Sequence, residues 1–303
     1  MKRAACAVAL VGLLAGCGSP KHSSATTTTT RAEFAYDASS PLGYVDRGRV
    51  NRRAYPIAVH DVSFTSGGQR IDGYLLLPPG SARRPAVVFV PGTGGDRREL
   101  LSEAAWLAAH DVVTLTLSPP PPPPQATTQR AAIAQLRSET AREVVAVRRA
   151  VDALGSLSVV DPHRIGYVGW SAGARLGAIV AASEPRIHAL VLLSAGAAPV
   201  DAYVSTAPAA LRAQLRRVLR SIDPLRYVAR AKPGSLLLEN GRRDSVVPRA
   251  ALMNVVRAAP RGTIVRWYAA SHGLNRQAYR DAFAWLARRL PIDGPRVPGA
   301  QTA

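Results

Sequence analysis

The sequence predicts an α/β fold with a mostly parallel, doubly wound sheet, an antiparallel edge hairpin and a helical insertion after the sixth strand. Two observations support this prediction. Short apolar runs alternate with longer segments of helical periodicity, and the turn signal Ser66-Gly67-Gly68 separates the first two strand-like runs. Alternating strands and helices favour a parallel sheet covered on both faces, with the functional site beyond the carboxyl ends of the strands.

The predicted elements follow in order along the chain. The edge hairpin is expected over 55–64 and 70–77, on either side of the glycine turn. Apolar runs typical of buried strands predict the remaining strands at 85–90, 112–117, 164–168, 187–193, 235–239 and 263–268. Helical spacing predicts helices at 97–109, 131–154, 172–183, 249–258 and 276–290. Residues 199–231 form the predicted helical insertion.

Composition divides the chain of 303 residues into four parts. A short basic start before an apolar run is typical of a signal peptide. Segments rich in threonine, or rich in both proline and glycine, rarely fold. The predicted parts are a signal peptide at 1–16, a lipidated cysteine and tether at 17–41, an α/β domain at 42–292 and a flexible tail at 293–303.

Leu14-Ala15-Gly16-Cys17 resembles the lipobox of bacterial lipoproteins. The resemblance implies cleavage before Cys17, lipidation of its sulfur and attachment to the extracytoplasmic face of the cell membrane. The alternative is an ordinary signal peptide with an incidental cysteine. Because the only other cysteine, Cys6, lies in the signal, the domain is expected to need neither disulfides nor a cysteine-based metal site.

The net charge of +19 is carried mostly by arginine. Nucleic-acid binding would favour basic residues gathered with aromatic ones, whereas the arginines are scattered over several predicted helices. We therefore expect no nucleic-acid partner. Attraction to anionic headgroups or wall polymers, or simple solubility, accounts better for the charge.

The pentapeptide Gly169-Trp170-Ser171-Ala172-Gly173 follows a predicted strand and precedes a predicted helix. This is the pattern of a nucleophile elbow, in which a serine projects from a turn so tight that the positions two before and two after it must lack side chains. Gly169 and Gly173 meet that requirement. We therefore predict that Ser171 is a nucleophile.

A serine nucleophile needs a base that is itself oriented by a carboxylate. In this kind of fold the chain order is serine, acid, histidine, with acid and base on loops after strands. Asp244 and His272 satisfy both requirements, and Asp201 is the fallback acid. The other candidate bases lie in the hairpin, at a helix end or at strand starts, namely His60, His110, His163 and His188.

The oxyanion of an acyl-transfer intermediate needs two backbone donors. One is the amide after the nucleophile, here Ala172. The second is expected from Pro91-Gly92-Thr93-Gly94-Gly95, where glycines permit close approach, and Thr93 is the predicted donor. The alternative is that these glycines only turn the chain into the next helix.

These residues resemble the α/β-hydrolase superfamily, most closely its dienelactone-hydrolase-like and acetyl-xylan-esterase-like branch, which is related to the catalytic domains of prolyl oligopeptidases. The resemblance also rests on segments outside the elbow, namely Asp72 to Pro78, Asp161 to Ser171, Asp223-Pro224, Gly241 to Pro248 and Trp285-Leu286. Pro91 and Asn240 depart from it, since the family often has histidine at both places.

The resemblance implies a serine hydrolase that cleaves carboxylic esters through an acyl-enzyme, with Ser171 as nucleophile, Asp244 as acid and His272 as base. It implies no metal and no organic cofactor. A serine peptidase is the alternative activity, although no propeller domain is expected before the hydrolase-like region. The other alternative is a binding lipoprotein that keeps the fold without turnover.

Two further segments each allow two interpretations. Pro119 to Pro124 is either a rigid wall beside the site or a stiff linker into the next helix. The insertion has apolar residues at helical spacing, Leu211, Leu215, Val218 and Leu219, opposite arginines. It forms either a lid or a helix packed on the body of the domain.

Overall fold

A computed structural model of the protein describes residues 34–50 and 55–291. The described strands are β1 (Val45–Val50), β2 (Val59–Ser66), β3 (Gln69–Leu76), β4 (Arg84–Val90), β5 (Val113–Leu117), β6 (Val160–Trp170), β7 (Ile187–Leu193), β8 (Leu236–Gly241) and β9 (Ile264–Tyr268). The described helices are α1 (Leu101–Ala108), α2 (Gln129–Gly155), α3 (Ala172–Ser183), α4 (Val200–Thr206), α5 (Ala209–Ser221), α6 (Pro224–Val228), α7 (Arg249–Ala258) and α8 (Arg276–Arg289).

The strands form one mixed sheet in the order β1-β2-β3-β5-β4-β6-β7-β8-β9. The pairs from β1 to β5 are antiparallel, and all pairs from β5 to β9 are parallel. The predicted fold class is therefore confirmed. Because parallel strands share a direction, the loops after β6, β8 and β9 emerge at the same edge of the sheet.

One edge strand was absent from the sequence-based prediction. Strand β1, with the sequence Val-Asp-Arg-Gly-Arg-Val, is largely exposed and pairs only with β2 among the described strands. It lacks the apolar alternation that identifies a half-buried strand, and its register shifts between Asp46 and Arg49. The insertion consequently follows the seventh strand, not the sixth.

Helices cover both faces of the sheet. One apolar cluster joins a sheet face to α2, α3 and α7, and the other joins the opposite face to α1 and α8. Tyr167 of β6 and Trp285 of α8 are among the largest fully buried side chains. The parallel strands are rich in buried apolar residues because both faces of the sheet are covered.

The folded part begins before residue 42, which corrects the predicted extent of the tether. The Phe34 side chain is only 2% exposed, and its ring lies 5.4 Å from that of Tyr227. The Tyr36 hydroxyl donates to Asp152 at 3.0 Å. These contacts bury apolar surface that the composition of the segment does not reveal. The predicted signal peptide, Cys17 and the tail at 293–303 lie outside the described residues.

The insertion consists of α4, α5 and α6. Helix α5 packs beside the first turns of α2, where Gln214 donates to the carbonyl of Arg130 at 2.9 Å. Leu211 is buried, and Leu215, Val218 and Leu219 are half-buried. In this structure the helix therefore lies on the body of the domain.

The proline run continues β5 in an extended form toward α2. The carbonyl of Pro124 accepts a hydrogen bond from Gln135 at 2.5 Å, and that of Pro121 accepts one from Arg142 at 3.4 Å. The run therefore lies along α2, whose first turn is capped by the Thr128 hydroxyl.

Among the described helices, none combines the length and the apolar character needed to cross a membrane.

Candidate active site

Ser171 occupies the turn between β6 and α3. Its backbone has φ 54° and ψ −111°, a conformation that residues other than glycine rarely adopt. Its amide donates to the carbonyl of Leu193 on β7 at 2.9 Å, and its carbonyl accepts from Arg175 at 2.9 Å. These hydrogen bonds hold the strained residue between strand and helix, so the hydroxyl projects from the carboxyl edge of the sheet.

The two glycines of the pentapeptide are required by close backbone contacts. A Cβ atom on Gly169 would lie 2.5 Å from the carbonyl oxygen of Gly173. A Cβ atom on Gly173 would collide with the carbonyl oxygens of Val90 and Pro91. Only glycine fits at either position, as the tight turn of the elbow demands.

The structure brings Ser171, His272 and Asp244 together, although they are far apart in the sequence. Nε2 of His272 lies 2.9 Å from Oγ of Ser171, and Nδ1 lies 2.8 Å from Oδ2 of Asp244. The side chain of Asp244 is 1% exposed and that of His272 is 12% exposed. The carboxylate is thus shielded from water, while the imidazole retains access to a ligand.

Backbone amides fix the orientation of the Asp244 carboxylate. Its Oδ1 accepts from the amides of Val246 and Val247, both at 2.9 Å, which leaves Oδ2 for His272. The two loops that carry Asp244 and His272 also pack closely, because a Cβ atom on Gly241 would collide with the carbonyl of Ser271. Gly241, the last residue of β8, therefore allows acid and base to meet.

Two residues that sequence reasoning missed hold the histidine loop. The carbonyl of His272 accepts from Nε1 of Trp170 at 3.0 Å and from Oγ of Ser194 at 2.9 Å. The ring of Trp170 also lies 5.2 Å from the imidazole. Ser194 follows β7 at the same sheet edge with φ 55°, and this strand-end position is the signal that could have identified it.

This arrangement is suited to moving a proton away from a serine hydroxyl. With the Nδ1 proton donated to Asp244, Nε2 of His272 has a free lone pair that can accept the hydrogen of Ser171. The imidazolium that forms is then stabilised by the buried carboxylate. The geometry is therefore that of a nucleophile, a general base and an orienting acid.

The loop after β4 lies against the serine. A Cβ atom on Gly92 would be 3.5 Å from Cβ of Ser171. A turn closes from the amide of Gly95 to the carbonyl of Gly92 at 3.1 Å, and Gly94 within it has φ 75°. Thr93 lies in this turn and is exposed.

A carboxylate that the sequence reasoning did not identify braces the same loop. Oε2 of Glu99 accepts a hydrogen bond from the amide of Gly92 at 2.6 Å. Since the amide of Gly95 donates to the carbonyl of Gly92, both glycine amides already have an acceptor. Ala172 is the first residue of α3, where amides have no partner within the helix. Thr93 and Ala172 thus remain the candidate oxyanion donors.

The alternative acid and bases lie elsewhere in the structure. Nδ1 of His60 is 2.8 Å from Asp46, and Nδ1 of His110 is 2.7 Å from the carbonyl of Trp106. Asp201 pairs with Arg216 at 3.2 Å. His163 and His188 line a cavity at the amino ends of the strands. In the described residues, none of these side chains forms a hydrogen bond with Ser171.

A hydrogen-bonded cluster around the buried Glu239 joins β8, β9 and α8. The Tyr268 hydroxyl is 2.9 Å from Oε1 of Glu239 and 2.8 Å from Oδ2 of Asp281, and Arg266 pairs with Asp281 at 3.1 Å. Burial raises the pKa of Glu239 to about 8, against hydrogen bonding from Tyr268 that lowers it. A glutamate within an apolar strand run is the sequence signal for this cluster.

The proton count of the cluster agrees with that pKa. The Tyr268 hydroxyl has one proton and cannot donate to two carboxylates at once. A protonated Glu239 that donates to Tyr268, which in turn donates to Asp281, satisfies both contacts.

Among the described residues, no group of three or more histidine, cysteine, aspartate or glutamate side chains is arranged to hold a metal ion.

Solved structures with a similar fold include three esterases. Acetyl xylan esterase 1 from Thermoanaerobacterium sp. JW/SL YS485 is 16% identical with a TM-score of 0.68, covering 86% of this chain and 92% of its own. Acetyl xylan esterase from Paenibacillus sp. R4 is 17% identical with a TM-score of 0.68, covering 87% and 93%. A cold-adapted esterase from an Arctic intertidal metagenomic library is 16% identical with a TM-score of 0.62, covering 81% and 99%.

These similarities show the α/β-hydrolase fold. No curated protein matches the sequence significantly. The model of the prolyl oligopeptidase family matches residues 129–290, more than half of the chain. The matched segment contains Ser171, Asp244 and His272, together with the strands and helices that position them. The chain therefore belongs to the prolyl oligopeptidase family.

Proposed function

We propose that this hydrolase cleaves carboxylic esters through an acyl-enzyme formed on Ser171. One observation carries the proposal: an unbroken hydrogen-bonded series runs from Asp244 through His272 to Ser171, with heavy-atom distances of 2.8 and 2.9 Å. The three residues come from the loops after β6, β8 and β9. Their convergence at one sheet edge places a reacting group where a substrate can approach from solvent.

In the proposed first half-reaction, Oγ of Ser171 attacks the ester carbonyl carbon while its proton passes to Nε2 of His272. The amides of Ala172 and Thr93 hold the resulting oxyanion. The intermediate collapses to an acyl-enzyme, and the departing alcohol takes the proton from His272. Asp244 keeps the imidazole oriented and stabilises its positive charge.

In the second half-reaction, His272 removes a proton from water, and the hydroxyl oxygen attacks the acyl carbon. The C–O bond to Ser171 breaks, and the serine regains its proton from His272. The products are a carboxylic acid and the free enzyme. No cofactor enters either step, since proton transfer and oxyanion binding supply the catalysis.

The choice of an ester substrate is supported by the solved structures that share the fold, because three of them are esterases. A peptide substrate is the second candidate, and the family assignment favours it. The two differ in the leaving group, which is an alcohol for an ester and an amine for an amide. The amine must be protonated before it leaves, because its anion is far more basic than an alkoxide.

Hydrolysis of 4-nitrophenyl acetate and of its amide counterpart, 4-nitroacetanilide, separates the two candidates. We expect the wild-type chain to hydrolyse the ester with a kcat/KM at least a thousandfold higher than for the amide. Comparable rates would favour the peptidase. Ester turnover that persists at the wild-type rate in Ser171→Ala would contradict both.

We also propose that the protein is held at the extracytoplasmic face of the cell membrane by a lipid on Cys17. The support is the sequence Leu14-Ala15-Gly16-Cys17 and the threonine-rich stretch that separates it from Phe34. Two or more acyl chains are needed for stable anchoring, as a single chain binds reversibly. Cys17→Ser should move the protein from the membrane to the soluble fraction, and unchanged fractionation would refute the anchor.

A further inference from the structure

A second concave site lies at the amino end of the parallel strands. It is a cavity of about 250 Å³ formed by the start of β6, the start of β7, the turn before β8 and the end of α8. Its charged or titratable lining residues are all basic, namely His163, Arg164, His188, Lys232 and Arg289. The cavity therefore concentrates positive charge.

The cavity is separate from the candidate active site. Arg164 lies near the start of β6, and Ser171 directly follows its end. A strand rises about 3.3 Å per residue, so the seven residue steps from Arg164 to Ser171 span about 23 Å. A ligand in this cavity would thus not touch Ser171.

Most of the cationic groups of the cavity have no carboxylate partner. Arg164 pairs with Asp161 at 2.8 Å and also donates to the carbonyls of Arg83 and Pro291. Within residues 34–50 and 55–291, no ion pair to a carboxylate involves Lys232 or Arg289. Positive charge that no acid balances attracts an anion from solution.

The cavity is shaped as well as charged. The turn before β8 contains Gly234 with φ 75°, and a Cβ atom there would lie 3.4 Å from a terminal nitrogen of Arg289. The guanidinium of Arg289 therefore lies close to the turn that carries Lys232. Burial lowers the pKa of His188, and the charges of Lys232 and His163 lower it further. Charged groups of two neighbouring elements, β6 and the turn before β8, therefore act on one imidazole.

We propose that this cavity binds a phosphate-class anion, either a free phosphate, a phosphomonoester or the headgroup of an anionic phospholipid. Lys232 and Arg289 balance two negative charges, and the imidazoles of His163 and His188 add directional donors when protonated. A volume of about 250 Å³ accommodates a phosphate with a small alcohol attached. The lining residues include no carboxylate, and Arg164 forms its ion pair with Asp161, which is not part of the lining.

Histidine NMR on the full chain carrying Cys17→Ser tests the site directly. His188→Asn identifies the resonance of His188. We expect inorganic phosphate, at constant ionic strength against chloride, to raise the pKa of His188 by at least half a unit, because a bound anion favours the imidazolium. Lys232→Ala combined with Arg289→Ala should abolish the shift, whereas Arg288→Ala, an exposed neighbour outside the cavity lining, should retain it.

Two further arms distinguish the source of the anion. Glycerol 3-phosphate reports a soluble ligand, and sedimentation with phosphatidylglycerol vesicles, compared with phosphatidylcholine vesicles, reports a headgroup. Loss of vesicle binding in the Lys232 and Arg289 double variant but not in Arg288→Ala assigns the cavity to lipid. Equal vesicle binding by all three proteins would exclude the headgroup and assign the cavity to a soluble phosphate. An unchanged His188 titration with phosphate would overturn the proposal.

Discussion

The two ends of the parallel sheet hold polar groups in opposite ways. At the carboxyl end, the Asp244 carboxylate is 1% exposed and accepts hydrogen bonds from two amides and a histidine. At the amino end, Lys232 and Arg289 face a cavity without forming an ion pair to a carboxylate among the described residues. The first set is satisfied within the chain, whereas Lys232 and Arg289 have no carboxylate partner within residues 34–50 and 55–291.

Under the two proposals made above, this difference separates catalysis from anion binding within one fold. A buried carboxylate fixed by amides holds a histidine in one orientation, as proton transfer demands. An open cluster of cations provides no such orientation and instead attracts an anion. Changes at the carboxyl end should therefore alter turnover, and changes at the amino end should leave turnover intact.

The largest expected effect is the loss of Ser171. We expect Ser171→Ala to lower kcat for 4-nitrophenyl acetate on the order of a million-fold, because only oxyanion binding and substrate binding remain. Steady-state assays on purified protein measure the loss. The Lys232 and Arg289 double variant is the matched comparison, and its kcat should stay within about twofold of wild type. A large loss of kcat in that double variant would show that the amino end of the sheet also affects turnover.

The second largest expected effect is the fall in kcat when Asp244 loses its negative charge. Asp244→Asn keeps the size of the side chain but removes the negative charge that stabilises the imidazolium, so kcat should fall by about 10⁴-fold. Asp201→Asn is the control, because Asp201 pairs with Arg216 away from Ser171. A similar loss in both variants would show that Asp244 has no special role.

A third prediction concerns stability and pH. Glu239 has a pKa of about 8 in the folded protein, against an ordinary value of 4.5. The folded chain therefore keeps a proton between these values that the unfolded chain releases. The stabilisation is full below pH 4.5 and is lost as pH rises through about 8, a loss of several kcal/mol at 1.36 kcal/mol per unit.

Glu239→Gln resembles the protonated side chain at every pH and removes this dependence. We expect its melting temperature to match that of wild type near pH 4.5 and to exceed it increasingly up to pH 9. Calorimetry across that range measures the difference. Parallel curves for the two proteins would show that Glu239 does not hold a proton in the folded state.

The smallest predicted effect is at the oxyanion loop. Glu99→Ala removes the carboxylate that accepts the amide of Gly92 at 2.6 Å. The loop that carries Thr93 should then be less well positioned, and kcat should fall by about tenfold with KM little changed, less than the loss of an oxyanion donor itself. Glu99→Gln, which retains an acceptor oxygen, should restore most of kcat. A change in KM alone would place Glu99 in substrate binding instead.

Much of this architecture could be predicted because its signals are local. Glycines on both sides of Ser171 mark a turn that only glycine allows, and Asp244 and His272 directly follow apolar strand runs. The structure brings those three side chains within hydrogen-bond distance. Their roles in catalysis stay a prediction.

The features that were missed depend on distant contacts. Strand β1 is polar and exposed, so no periodic signal marks it. Phe34 is buried through Tyr227, and Glu99 reaches back to Gly92, contacts that no sequence window contains. Trp170 and Ser194 matter only because the His272 loop folds onto them. Such residues follow from the tertiary fold and not from composition.

The central claim is that Ser171 is an activated nucleophile. Labelling of the intact protein with a fluorophosphonate, followed by mass spectrometry of its peptides, tests this claim most directly. We predict one label per chain, attached to Ser171, and no label on Ser171→Ala or on chain unfolded before exposure to the probe. Absence of labelling in the folded wild-type protein, or a label on another residue, would contradict the account.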